Sequence, residues 1–129
     1  MPRVSAAFFT FTCICLLCGM LYGMHMAQTN DFALAPAHAH LNLLGGVLMA
    51  IFGTFYALTK ETYSPRLAWL NFLVSAAATL ITIPALAMLL KTNDDATYGP
   101  ITGAGSGLAV IGLLIFTFSV LRELFRRRT

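Results

Sequence analysis

The apolar positions of this chain fall in four long runs, and the charged residues mark where each run ends. No Asp, Glu, Lys or Arg lies between Arg3 and Asp31, Asp31 and Lys60, Arg66 and Lys91, or Asp95 and Arg122, gaps of 27, 28, 24 and 26 residues. A helix crossing the roughly 30 Å hydrocarbon layer of a bilayer needs about 20 residues. No water satisfies backbone N–H and C=O groups there, so an apolar stretch of this length folds as a helix. The pattern predicts four spans, at about Val4–Ala27, Ala37–Leu58, Leu67–Leu90 and Ile101–Leu121, joined by short loops. The expected fold class is all-α, a single integral membrane four-helix bundle over residues 1–129.

Composition agrees. Hydrophobic residues make up 58% of the 129 residues and charged residues 10%, with a mean hydropathy of +0.78. An ordinary globular domain carries about 25% charged residues, so the polar surface for a water-soluble enzyme, a nucleic-acid binder or a disordered chain is missing. The net charge of +3 is explained by placement. Arg3, Lys60, Arg66, Arg122, Arg126, Arg127 and Arg128 fall on one side of the four spans, and only Lys91 falls on the other, beside Asp31, Asp94 and Asp95. The excess of Lys and Arg puts both termini and the Lys60–Arg66 loop in the cytoplasm and the Gln28–Pro36 and Thr92–Pro100 loops outside. The Arg126–Arg128 tail is then a topology anchor that touches lipid headgroups.

The first span is expected to stay uncleaved, because its apolar run exceeds the roughly 7–15 residues of a signal-peptide core and no clear small-residue cleavage site follows. Tyr22 and Tyr98 fall near the outer boundary, and Tyr63 and Trp69 near the inner one, where amphipathic aromatics collect. Small residues recur at close-packing intervals: Gly19 and Gly23 in the first span, Gly45, Gly46 and Gly53 in the second, Ser75 to Ala78 in the third, Gly103 and Gly107 in the fourth, with Gly105 and Gly112 nearby. Lipid supplies no hydrophobic drive between helices, so such faces mark close approach. Gly103–Gly107 follows no strand and precedes no Lys-Ser/Thr, so packing rather than phosphate binding is its expected role. Several small faces per chain predict a closed homo-oligomer. Pro84 is expected to kink the third helix.

Chemistry concentrates in the histidines. Cys13, Cys15 and Cys18 lie inside the first span without a zinc spacing and read as apolar fillers. His25, His38 and His40 instead share one depth: His25 stands 22 residues from Arg3 and His38 stands 22 from Lys60, roughly 33 Å at about 1.5 Å per residue, near the outer edge of the hydrocarbon. Ionisable residues at membrane depth are functional-site hypotheses by default. Pro36 is placed to begin the second helix, with His38 and His40 in its first turns. Two positions along a helix turn by about 200°, so these imidazoles serve two sites rather than one metal together. The positive end of the helix dipole favours neutral, ligand-competent rings. Asn42, one turn on from His38, is placed to orient a ligand.

The stretch Ala37-His38-Ala39-His40-Leu41-Asn42-Leu43-Leu44-Gly45-Gly46, continuing to Phe52-Gly53-Thr54-Phe55-Tyr56, resembles haem-ligating helices of the heme-copper oxidase catalytic subunit. In that family one helix carries His-x-Asn before a glycine-rich run, matched here by His40 and Asn42. Another carries His-x-His, matched by His38 and His40. The chain also resembles a bacterial group of small four-span proteins described as cytochrome-oxidase-like. The resemblance covers about 20 residues and implies one four-helix arc of a threefold large subunit. It thereby implies a homotrimer in which His40 of one copy and His38 of the next hold haem b between them. Electron transfer with a redox partner, or binding of a diatomic gas, would follow. The family's tryptophan after the first motif glycine is replaced by Gly46, and its three-histidine copper site and tyrosine have no clear counterpart here, so the resemblance leaves enzymatic activity open.

Two other readings come from the residues. Met24-His25-Met26, with Met20, His38 and His40 at the same depth, forms a thioether and imidazole set suited to Cu(I), so copper is the alternative cofactor. A non-catalytic structural subunit of a respiratory complex, bound through its glycine faces, is the third.

Overall fold

The computed structural model describes residues 1–126; Arg127 and Arg128 of the expected lipid-facing tail lie outside the described residues. The described residues form four helices and no strand: α1 (Arg3–Thr29), α2 (Ala35–Leu58), α3 (Pro65–Thr92) and α4 (Asp95–Leu124). Each is long and apolar enough to cross a membrane, and each contains one of the four expected spans.

The turns follow from local chemistry. α1 ends on Asn30 and α3 on Asn93, both left-handed with φ of 51° and 53°, a conformation asparagine tolerates because its short amide bonds locally. Ser64 caps α3 by accepting from Leu67 N–H, with Pro65 at the first helical position, where its missing N–H costs nothing. The α3–α4 connection is shorter than the expected Thr92–Pro100 loop. Asp94 Oδ1 accepts from Thr97 N–H at 3.1 Å, so α4 begins at Asp95 and Pro100 lies inside it. α3 runs unbroken through Pro84.

A feature that the apolar pattern did not disclose interrupts α2. Its first turns are α-helical through His40, Leu41–Leu48 forms a π-helix, and α-helix resumes at Met49. A π segment widens the coil and rotates the turns beyond it relative to those before it. Thr12 Oγ1 of α1 donates to the Gly46 carbonyl at 3.2 Å, bracing this segment from outside.

α1 packs on α2 and α3 on α4, and the two hairpins meet mainly through α3. Val4, Phe8, Met49, Phe52, Tyr56, Ala68 and Ala76 form the core, with Phe72 and Phe116 packed against it. Phe8 stands edge-on to Phe52 and Phe72 at 5.9 and 5.2 Å. Because the start of α1 meets the end of α2, and Thr62 of the α2–α3 loop bonds Glu123 near the end of α4, Arg3, Lys60, Arg66 and Arg122 share one end of the bundle. The aromatic core lies toward this basic end.

Glycine seams close the rest. Gly45 meets Cys15 and Thr79, and Gly46 meets Leu16. On α4 the seam within the chain uses Gly105 and Gly112 rather than Gly103 and Gly107. Gly105 and Gly112 lie against Thr82 and Ser75, so close that a Cβ at Gly105 would stand 2.9 Å from Thr82 N, whereas Gly103 and Gly107 face open space. Seven residues are nearly two full turns, so Gly105 and Gly112 share a face that Gly103 and Gly107 do not.

Candidate functional site

The histidine cluster sits at the end of the bundle opposite the arginines and is built by the first turns of α2. Pro36 lies in the first turn of that helix. Its backbone carbonyl accepts from a side chain: His40 Nδ1 stands 2.7 Å from Pro36 O. A carbonyl only accepts, so Nδ1 carries the proton and donates, and the Nε2 lone pair of the neutral ring is left free. His40 is exposed. An imidazole held through Nδ1–H by a backbone carbonyl, with Nε2 outward, is the arrangement that orients histidine as a metal ligand.

His38 occupies the opposite side of the helix, as two-residue spacing requires, and is half-buried against α1. Its Nε2 stands 3.3 Å from Asn42 Nδ2. A Cβ at Gly23 would stand 3.1 Å from its Cε1, and a Cβ at Gly19 would fall on Asn42 Oδ1. The two glycines of α1 are therefore the seat of the His38–Asn42 pair. Nδ1 of His38 and Oδ1 of Asn42 are buried without a hydrogen-bond partner among the described residues. Rotating the Asn42 amide would exchange donor and acceptor toward Nε2, yet in either orientation Nε2 is engaged and Nδ1 is not.

A cavity of about 210 Å³ opens beside His38, walled by Tyr22, Leu34, Ala37, Leu41, Ile83 and Ala87. Tyr22 lies between two histidines, its ring centroid 5.8 Å from that of His25 and 6.4 Å from that of His38. The structure thus brings His25, Tyr22, His38 and Asn42 together and sets His40 apart. Met24 is exposed and Met26 buried, on different sides of α1. Among the described residues no group of three or more His, Cys, Asp or Glu is arranged to hold a metal ion. Cys15 is buried, while Cys13 and Cys18 are exposed on α1.

A second polar cluster is not evident from the chain alone. Asn71 of α3, fully buried, donates from Nδ2 to Tyr56 Oη at 3.3 Å and accepts from Ser75 Oγ at 3.0 Å. Tyr56 Oη also meets Ser119 Oγ of α4 at 3.2 Å, joining three helices. Asn71 and Ser75, one turn apart within an apolar span, were the available signal; their partners on other helices were not.

Comparison of the chain with protein-family models, curated proteins and solved structures gives no match.

Proposed function

We propose that this chain is a haem b-binding membrane protein in which His40 supplies an axial ligand to the iron. It would pass electrons to a redox partner, or bind a diatomic gas, at the outer face of a bacterial inner membrane. The observation that carries the reading is the His40 ring, held through Nδ1 by the Pro36 carbonyl at 2.7 Å with Nε2 free on an exposed face. No rearrangement is required before that nitrogen coordinates.

The donor set fits haem at a surface rather than inside one chain. The 210 Å³ cavity at His38 is smaller than the roughly 300–1,000 Å³ of pockets that enclose drug-sized ligands, so a porphyrin does not enter it. It would lie along the His40 face and be covered by a second copy, and a homotrimer is the assembly implied by the oxidase resemblance. The His40–His38 pairing between copies, also implied by the resemblance, asks His38 to leave Asn42; ligation by His40 asks nothing of the kind. Haem, when bound, supplies a one-electron iron couple and, with a coordination position open, a site for oxygen or nitric oxide. The concentration of arginines at the opposite end supports cytoplasmic termini and a periplasmic-side haem.

The test is a reduced-minus-oxidised absorption spectrum of the detergent-purified protein, with iron and copper analysis on the same sample. A b-type signal that disappears in His40→Ala is expected. Carbon monoxide binding to the reduced protein is expected if His40 ligates alone, and exclusion of the gas if a second histidine completes the iron. A colourless protein after expression with ample haem overturns the reading; copper in that sample would move the assignment to the methionine and histidine set.

A further inference from the structure

The basic end of the bundle carries a pocket that the histidine chemistry does not use. It has a volume of about 400 Å³ and lies between the end of α2, the α2–α3 loop and the end of α4; Thr59, Tyr63, Arg122, Glu123 and Arg126 are in its lining. The one ion pair among the described residues joins Lys60 to Glu61, so neither Arg122 nor Arg126 has a carboxylate partner there. Glu123 is held by Thr62 Oγ1, which donates to Oε2 at 2.7 Å. Two guanidinia and one carboxylate leave the lining with a single net positive charge.

Phe55 lines this pocket and also a second one, an open apolar trough of about 580 Å³ that runs along α2 beside Thr12 and Leu16 of α1 and Phe116 of α4. The trough passes Gly46, Ala50, Thr54 and Leu58. From Gly46 to Leu58 is 12 residues, or up to roughly 18 Å at about 1.5 Å per residue, close to the roughly 15 Å depth of one leaflet's hydrocarbon. An apolar trough one leaflet deep that ends in an arginine-lined pocket has the outline of a phospholipid.

We propose that these two pockets form one binding site for an anionic phospholipid, its acyl chain along the α2 trough and its phosphate between Arg122 and Arg126. The net single positive charge matches a phosphodiester monoanion better than a free phosphate dianion, which Glu123 repels. Arginine binds phosphate oxygens with paired N–H donors, which adds geometry to charge. The site lies at the end opposite His40, so it is independent of the haem reading.

The experiment titrates the purified full chain in mild detergent with phosphatidylglycerol, with phosphatidylcholine of the same acyl chains, and separately with inorganic phosphate. Bound lipid is read by native mass spectrometry and by the shift in melting temperature. Phosphatidylglycerol is expected to bind at least tenfold more tightly than phosphatidylcholine, and phosphate up to millimolar concentration is expected not to displace it. Arg122→Gln with Arg126→Gln is expected to remove that tenfold preference while leaving the lipid-free melting temperature unchanged; Arg126→Gln alone gives the same direction should the pair not fold. Thr54→Trp, at an exposed position in the trough, is expected to weaken both lipids several-fold. Equal binding of the two lipids, an unchanged preference in the arginine variants, displacement by phosphate, or a Thr54→Trp protein that binds as the parent does would each overturn the proposal.

Discussion

Alanine should behave differently at four glycines, two that seat the His38–Asn42 pair and two that face open space. At Gly19 a Cβ would fall on Asn42 Oδ1 and stand 2.9 Å from Cγ, so the whole amide has to move. Forcing a methyl into a packed site costs about 1–3 kcal/mol. Loss of the Asn42–His38 hydrogen bond adds about 0.6 kcal/mol, a typical value between side chains in membrane proteins. The better helix propensity of alanine returns about 1 kcal/mol. Gly19→Ala should therefore lose about 0.6–2.6 kcal/mol. At Gly23 the added Cβ would stand 3.1 Å from His38 Cε1, a contact the ring relieves by tilting a few tenths of an ångström, so Gly23→Ala should be near neutral. Gly103 and Gly107 meet nothing within 4 Å, and alanine there should be neutral or gain up to about 1 kcal/mol in the single chain. Reversible unfolding of the four variants by sodium dodecyl sulfate in mixed micelles measures the series. A Gly19→Ala protein as stable as Gly107→Ala would refute the reasoning, because the two differ only in what the new methyl meets.

Tyr56→Phe should cost about 1–2 kcal/mol in the same assay, because it removes the bonds to Asn71 and Ser119 and leaves a fully buried amide without its acceptor; an unchanged stability would show that the network contributes nothing. Gly103→Leu with Gly107→Leu should leave unfolding of the single chain intact, since the face is open, while lowering chemical cross-linking between copies. Cross-linking that does not respond would place any self-association on another helix.

The number, positions and class of the elements were legible along the chain, because a bilayer imposes a simple rule: a backbone without water hydrogen-bonds to itself, and runs of more than about 20 apolar residues do so as helices. All four expected spans lie within observed helices. The opposed placement of His38 and His40 was legible too, since it needs only helical periodicity. Contacts between helices were not. Gly103/Gly107 and Gly105/Gly112 look alike in sequence, and only the approach of α3 decides that the second pair is the seam. Nor does periodicity reveal that His38 and Asn42 rest on Gly19 and Gly23, that Tyr56 reaches across to Asn71 and Ser119, or that α2 relaxes into a π-helix at Leu41–Leu48, braced by Thr12. Local sequence sets where a helix forms and which residues share its faces. Which face meets which neighbour depends on the joint packing of all four helices, a property of no single segment.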